Sequence, residues 1–263
     1  MTFDRRTLPD GGHVIVSTAL ERDGFLAAFS ERSGGASDGP YRTGNLSLAV
    51  GDDDERVHTN RARLARGLGI DRFATAQQVH GAKVVRVGSK GAGAGWASLD
   101  DRIPEADALI ADAPGVALAV LTADCVPVVA ASASEGTVAV VHAGWRGIAA
   151  GIIAAAVALF DDPRDVRVAI GPAVGPDHYE VEEEVALAVA AGTQAGAVTE
   201  RRDGIARLNL GATIQAELRA LGIRNVDDVE LCTACHADRF FSYRVEEITG
   251  RQAAIAMRLD TER

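Results

Sequence analysis

Cysteine is scarce in this chain, three residues in 263, and the odd count excludes a closed disulfide framework. Free thiols fit a reducing, cytoplasmic setting. Basic residues are also in the minority, 27 against 37 acidic, for a net charge of −10. A general nucleic-acid binder needs a basic face to displace counterions, so that class is excluded, while a local basic patch for a small anion is not. No apolar run approaches the ~18 residues of a membrane span. The richest stretch, 108–133, is interrupted by Asp112, Pro114, Asp124 and Pro127. The opening MTFDRRTLPDGG has no apolar run behind its arginines, so a secretory signal is not expected. Repeats and low-complexity linkers are missing too, and nothing in the sequence demands an interface, so a monomer is expected.

What is present is a hydrophobic content of 47%, enough for one large core or two small ones. His13 to Ala19 and Gln78 to Val87 carry β-branched residues at strand spacing. Asp52, Asp53 and Asp54 offer N-caps to a helix in which Val57, Arg61, Leu64 and Leu68 share a face. Three short apolar runs follow, 108–111, 116–122 and 126–131, in the pattern of strands buried on both faces. Thr137 to Val141 repeats the pattern, and 148–160 reads as an apolar helix. Strand–helix alternation continues through 166–170, 181–191, 208–221 and 229–232, and Gln252 to Leu259 reads as a closing strand. The Gly-rich 88–95 stretch reads as a mobile loop between strands. The class predicted is α/β, or α+β, with helices covering sheet faces.

Polar residues gather where apolar runs end. Gln77-Gln-Val-His-Gly81, Thr122-Ala-Asp-Cys-Val126 and Val141-His-Ala-Gly-Trp-Arg-Gly147 each offer one soft or borderline ligand, His80, Cys125 and His142. Together they favour zinc, with copper as competitor. The intervals of 45 and 17 residues exceed a zinc-finger loop and suit a site assembled where several strands end. Packed core residues would account for the same types. Cys125 and His142 also fit a nucleophile and its base, with Asp124 orienting the histidine, transferring a proton or merely capping a strand end. HAGWRG places glycines between a strand and a helix, as in an anion pocket or in a tight turn with Trp145 packed inside. Arg239-Phe-Phe-Ser-Tyr-Arg244 could stack a purine and hold phosphate, or form an edge strand with Phe241 and Tyr243 on one face. Finally, Cys232-Thr-Ala-Cys235-His236 fits the C-x-x-C-H pattern of covalent haem, which requires an export that the sequence does not signal.

The ordered set QVHG, TADC, HAGWRG, IGPAVGP and CT…DRFFSYR resembles the YfiH/YlmD family, formerly described as multicopper polyphenol oxidases and now as purine nucleoside phosphorylases. Arg32-Ser-Gly-Gly-Ala-Ser37, Gly44-Asn45-Leu46, Gly51-Asp52 and Asn60-Arg61 match further landmarks, so the likeness spans roughly 25–259. It implies one catalytic unit over 1–263 in a four-layer α/β/β/α arrangement, and zinc on His80, Cys125 and His142. It also implies phosphorolysis of adenosine, inosine, guanosine and methylthioadenosine, with accompanying adenosine deamination. Arg32, Asn45, Arg146, Arg239 and Arg244 are the candidate substrate-binding residues; Asp124, Cys125 and His142 are the candidate catalytic ones. Cys235 and His236 fall outside the family pattern and read as variation near the pocket. The competing activities are a Cys125-dependent hydrolase of peptidoglycan precursors and a copper polyphenol oxidase. Multicopper chemistry needs more histidines than the six present.

Overall fold

The computed structural model describes residues 2–260; Met1 and 261–263, which the expected 1–263 unit includes, lie outside the described residues. In the first half of the chain the strands are β1 (Phe3–Thr7), β2 (His13–Ser17), β3 (Phe25–Ser30), β4 (Phe73–Ala74), β5 (Val84–Arg86), β6 (Ala108–Ala111) and β7 (Ala117–Thr122). They continue as β8 (Val126–Ser132), β9 (Thr137–Ala143), β10 (Val166–Ile170), β11 (Glu180–Val181), β12 (Thr199–Arg202), β13 (Ile205–Leu208), β14 (Asn225–Asp228) and β15 (Gln252–Arg258). The helices are α1 (Thr18–Arg22), α2 (Asp54–Leu68), α3 (Trp145–Ala149), α4 (Ile152–Val157), α5 (Glu183–Gly192), α6 (Leu210–Ala220) and α7 (Tyr243–Glu246).

Two six-stranded mixed sheets carry the fold, in the orders β1-β2-β3-β15-β7-β4 and β14-β10-β8-β9-β6-β5. Their facing sides share one core: Phe29, Leu118, Val120 and Ala254 from the first sheet meet Leu109, Val129, Val140 and Ala169 from the second. The outer face of the first sheet packs on Leu64 and Ala65 of α2, and that of the second on Ile148, Ile152, Ile214 and Leu218 from α3, α4 and α6. These are the four expected layers, helix, sheet, sheet and helix. Because strands of both sheets are covered on both sides, their sequences read as unbroken apolar runs. A small antiparallel sheet, β11-β13-β12, which the apolar pattern does not announce, lies apart from these.

Local chemistry explains where elements differ from the sequence expectation. Gly151, at φ 85°, divides the expected 148–160 helix into α3 and α4. Of 78–87, only 84–86 is strand, because the amides of residues 79–81 turn to a buried carboxylate. Strand β14 lies ahead of the expected 229–232, and Cys232 makes only a single bridge with Ala173. RFFSYR is no strand either. Gln252 bonds the Phe241 N–H and C=O through its side chain, Phe240 and Phe241 are both buried, and Tyr243 opens α7. Helix α2 does form behind an Asp53 N-cap, whose side chain accepts from the Arg56 N–H.

Arg61, on the inner face of α2, is 1% exposed. Its guanidinium donates to the carbonyls of Leu46, Gly95 and Trp96 at 2.6–2.8 Å, so the glycine-rich stretch is pinned to the helix layer. Arg61→Leu would strand three carbonyl acceptors that now receive charged donors. Each such bond is worth ~1.5–3 kcal/mol, so a loss of about 3 kcal/mol or more is expected in urea unfolding.

Candidate functional site

The chain passes between the two sheets at one end of the molecule in two places that matter here. The first crossing, between β4 and β5, carries His80; the second, between β7 and β8, carries Cys125. His142 arrives on β9, paired with Pro127 across the sheet. The ligand atoms of these three side chains lie within 4.8 Å of one another, with Cys125 Sγ 3.9 Å from His80 Nε2. Gly144 makes the convergence possible, since a Cβ there would stand 2.9 Å from both Cys125 Sγ and His80 Cδ2.

Behind the trio sits Asp107, fully buried immediately before β6. Its carboxylate accepts from the amides of Val79 at 3.1 Å, His80 at 2.9 Å and Gly81 at 2.7 Å. It also accepts from His142 Nδ1 at 2.8 Å. Burial alone would neutralise this acid, but the His142 hydrogen bond and the backbone amides hold it below the usual carboxylate range. A carboxylate only accepts, so Nδ1 carries the proton and Nε2 is left to face Cys125. That is the arrangement by which a carboxylate orients a metal-binding imidazole.

Cys125 and His142 each shift the other toward its charged form. Burial raises the Cys125 thiol, yet the His142 charge and hydrogen bond, with help from His80, bring it down to about 6. Burial likewise works against the imidazolium, but the Cys125 charge and Asp107 push His142 up to about 9. Two imidazoles and one thiolate on a few-ångström circle suit a zinc-type ion. Tetrahedral zinc would separate such donors by about 3.3–3.6 Å.

The trio opens into a cavity of about 820 Å³. Arg102, Arg146, Arg244 and Arg251 line it, with Asp124 and Glu247 as the lining acids. Arg146 lies 4.3 Å over the Trp145 ring, and Arg244 4.8 Å over Tyr179. Burial, with the Cys125 charge adding to it, pushes the Tyr179 phenol up to about 12. Helix α3 begins at Trp145, so the helix start lies ahead of Gly147 and not after it.

The remaining candidates divide. Asp124, at φ 92°, lines the cavity, but its carboxylate accepts from Thr233 Oγ1 at 2.6 Å, Ser242 Oγ at 2.7 Å and the Arg244 amide at 2.7 Å. Arg32, Asn45 and Arg239 do not line the cavity. Arg32 binds the carbonyls of Arg42, Ala237 and Phe240 and the Glu246 carboxylate. Arg239 pairs with the buried Glu31. Asn45 is fully buried, and its Oδ1 receives the amides of Ser47 and Arg251, both of which belong to pocket-lining residues. Sequence reasoning missed Asp107, Tyr179, Arg102, Arg251 and Gln78. The Gln78 amide exchanges two 2.8 Å hydrogen bonds with the Leu121 backbone and so ties the His80 loop to β7. Only Asp107 left a signal, an acid set directly against an apolar run.

Residues 26–259 match the family described as multi-copper polyphenol oxidoreductase laccase. The chain belongs to this family. A purine nucleoside phosphorylase of Streptomyces coelicolor is 42% identical over 237 residues, covering 88% of this chain and 94% of its own length. Purine nucleoside phosphorylase YfiH of Escherichia coli is 35% identical over 244 residues, covering 92% and 97%. The crystal structure of YlmD from Geobacillus stearothermophilus matches with a TM-score of 0.90 at 34% identity, over 94% of this chain and 96% of that one. The YfiH/YlmD resemblance read from the motifs therefore holds, as does the mixed sheet–helix fold. Among the described residues, no helix of this laccase-family chain is long and apolar enough to cross a membrane.

Two outcomes follow for the trio. Asp107→Asn would set an NH2 against two donors, either the Val79 and Gly81 amides or the His80 amide and His142 Nδ1, and so loosen the hold on His80 and His142. Metal affinity should fall about 10–100-fold in chelator competition. Metal loading at pH 7 should release about one proton from His142, declining as pH rises through about 9, because Cys125 is already a thiolate there. Indicator titration in weak buffer reads this; no release at pH 7 would mean that the free pair has already lost its proton and is a thiolate beside a neutral imidazole.

Proposed function

We propose that the protein is a zinc-dependent purine nucleoside phosphorylase acting on adenosine, inosine, guanosine and methylthioadenosine, with accompanying adenosine deamination. The observation that carries this reading is the joining of a His/Cys/His trio to a cavity walled by four arginines. The names of the relatives in Streptomyces coelicolor and Escherichia coli support it, and a volume of about 820 Å³ admits a nucleoside with phosphate. His80, Cys125 and His142 would hold the ion. Bound there, zinc supplies a Lewis acid for substrate oxygens and an activated water for deamination.

The chain's own residues do the rest. In phosphorolysis a phosphate oxygen bonds to the anomeric carbon, the bond from that carbon to the purine nitrogen breaks, and the departing base takes up a proton. Arg146 and Arg244 present guanidiniums for the phosphate, each kept in place by the aromatic ring beneath it. Arg251 adds charge from the opposite strand start, its position set through Asn45. Asp124 acts as a positioning residue for Thr233, Ser242 and Arg244, since its oxygens are taken up by three donors. Arg32, Asn45 and Arg239 brace the walls rather than touch substrate.

A second reading has its own support. Cys125, His142 and Asp107 also form the thiolate–imidazolium–carboxylate relay of a cysteine hydrolase. A bound ion would occupy the thiolate that such a hydrolase requires.

The decisive experiment incubates zinc-loaded protein with inosine and follows hypoxanthine and ribose 1-phosphate. Both should appear in equal amounts and only with phosphate present. Absence of both from folded, zinc-loaded protein overturns the phosphorylase reading. Cleavage of peptidoglycan precursors by the metal-free protein alone would establish the hydrolase.

A further inference from the structure

The C-x-x-C-H stretch is not absorbed by the pocket, and the structure supplies it with a different partner from the adjacent histidine. Among the described residues, a second group of soft ligands converges at His178, Cys232 and Cys235, with donor atoms all within 4.8 Å of one another. His178 ends a tight 3-10 turn, 176–178, that the sequence gives no reason to connect with CTACH.

Several features make this more than proximity. Cys232 Sγ accepts the Gly175 amide at 3.1 Å and the Cys235 amide at 3.4 Å. The bond from residue i+3 back to the sulfur of residue i folds the C-x-x-C segment into a knuckle. A side chain at residue 175 would crowd this bond, since its Cβ would stand 3.3 Å from Cys232 Sγ. The two turns are also stapled by backbone, with a bridge from Ala173 to Cys232 and the Thr233 amide donating to the Ala173 carbonyl at 3.0 Å. Cys232 is half-buried, whereas His178 and Cys235 are exposed, so an ion can enter from solvent and complete its coordination with water.

We propose that His178, Cys232 and Cys235 form a second metal site, selective for a thiophilic ion of the zinc class and separate from the cavity trio. Two thiolates and an imidazole suit zinc, and the present spread needs only small side-chain movements to reach the ~3.5–3.8 Å separations of tetrahedral coordination. The site borders the cavity without belonging to it. Tyr179 follows His178 and lies under Arg244, and Thr233 follows Cys232 and donates to Asp124. An ion there joins two turns, one that delivers Tyr179 to the pocket wall and one that bonds the lining Asp124 through Thr233, and so acts as a brace for that wall. The proposal is independent of the activity assigned to the pocket.

The test is metal counting on full-length protein, reduced, stripped with chelator, loaded with zinc and desalted. Wild type should retain one equivalent more than Cys235→Ser and one more than His178→Ala, while Cys125→Ser loses a different equivalent. Cobalt loading gives a second readout. Thiolate-to-cobalt absorption in Cys235→Ser should drop to the level of Cys125 alone. Equal metal content in wild type and both surface variants overturns the proposal. So does a Cys232–Cys235 disulfide that persists, by mass spectrometry, in zinc-loaded wild type. Because Cys235 and His178 are exposed, matching thermal melts of the stripped proteins should show that the variants fold.

Discussion

The carboxylate of Asp107 is the constraint on which the rest of the site depends. An acid with no exposure stays ionised only when donors surround it, and this one gathers three consecutive amides and an imidazole. Holding the amides fixes the loop that presents His80, whose φ of 59° is unfavourable for a side chain larger than glycine. Holding the imidazole fixes the tautomer of His142 and leaves Nε2 to the cavity. Two ligands from distant parts of the chain are thus set by the two oxygens of one residue. The third, Cys125, follows from the turn by which the chain leaves one sheet for the other.

The cavity concentrates positive charge in a protein whose net charge is −10. Among the described residues, none of Arg102, Arg146, Arg244 and Arg251 has a carboxylate within ion-pair distance. Their guanidiniums rest on aromatic rings or backbone carbonyls, partners that orient without neutralising. Arg32 and Arg239 are spent on Glu246 and Glu31 instead. An anion entering this cavity meets a focused positive potential despite the acidic surface around it.

That contrast shows what the sequence could and could not convey. The four-layer fold was legible because strands covered on both faces become unbroken apolar runs. The grouping of His80, Cys125 and His142 was legible because each stands where such a run ends. Which arginines remain free was not legible, since pairing is decided by contacts such as that between Arg239 and Glu31, 208 residues apart. RFFSYR misled for a related reason. Its alternation suits a strand, but the Gln252 side chain replaces the ladder bonds and lets the segment turn. The C-x-x-C-H pattern, read as variation near the pocket, could not convey that the imidazole brought to its thiols is His178, from another turn.

The placement of His80 and Cys125 on separate crossings between sheets bears on how the molecule folds. Neither ligand can meet the other until both sheets have formed and docked, and His142 joins only when β8 and β9 are paired. Loop closures of this range are slow compared with local structure. The trio is therefore assembled late, and an ion captured there would lock a finished arrangement instead of seeding one. Metal uptake would then serve as a checkpoint on completed folding, open only to chains whose two sheets are in register.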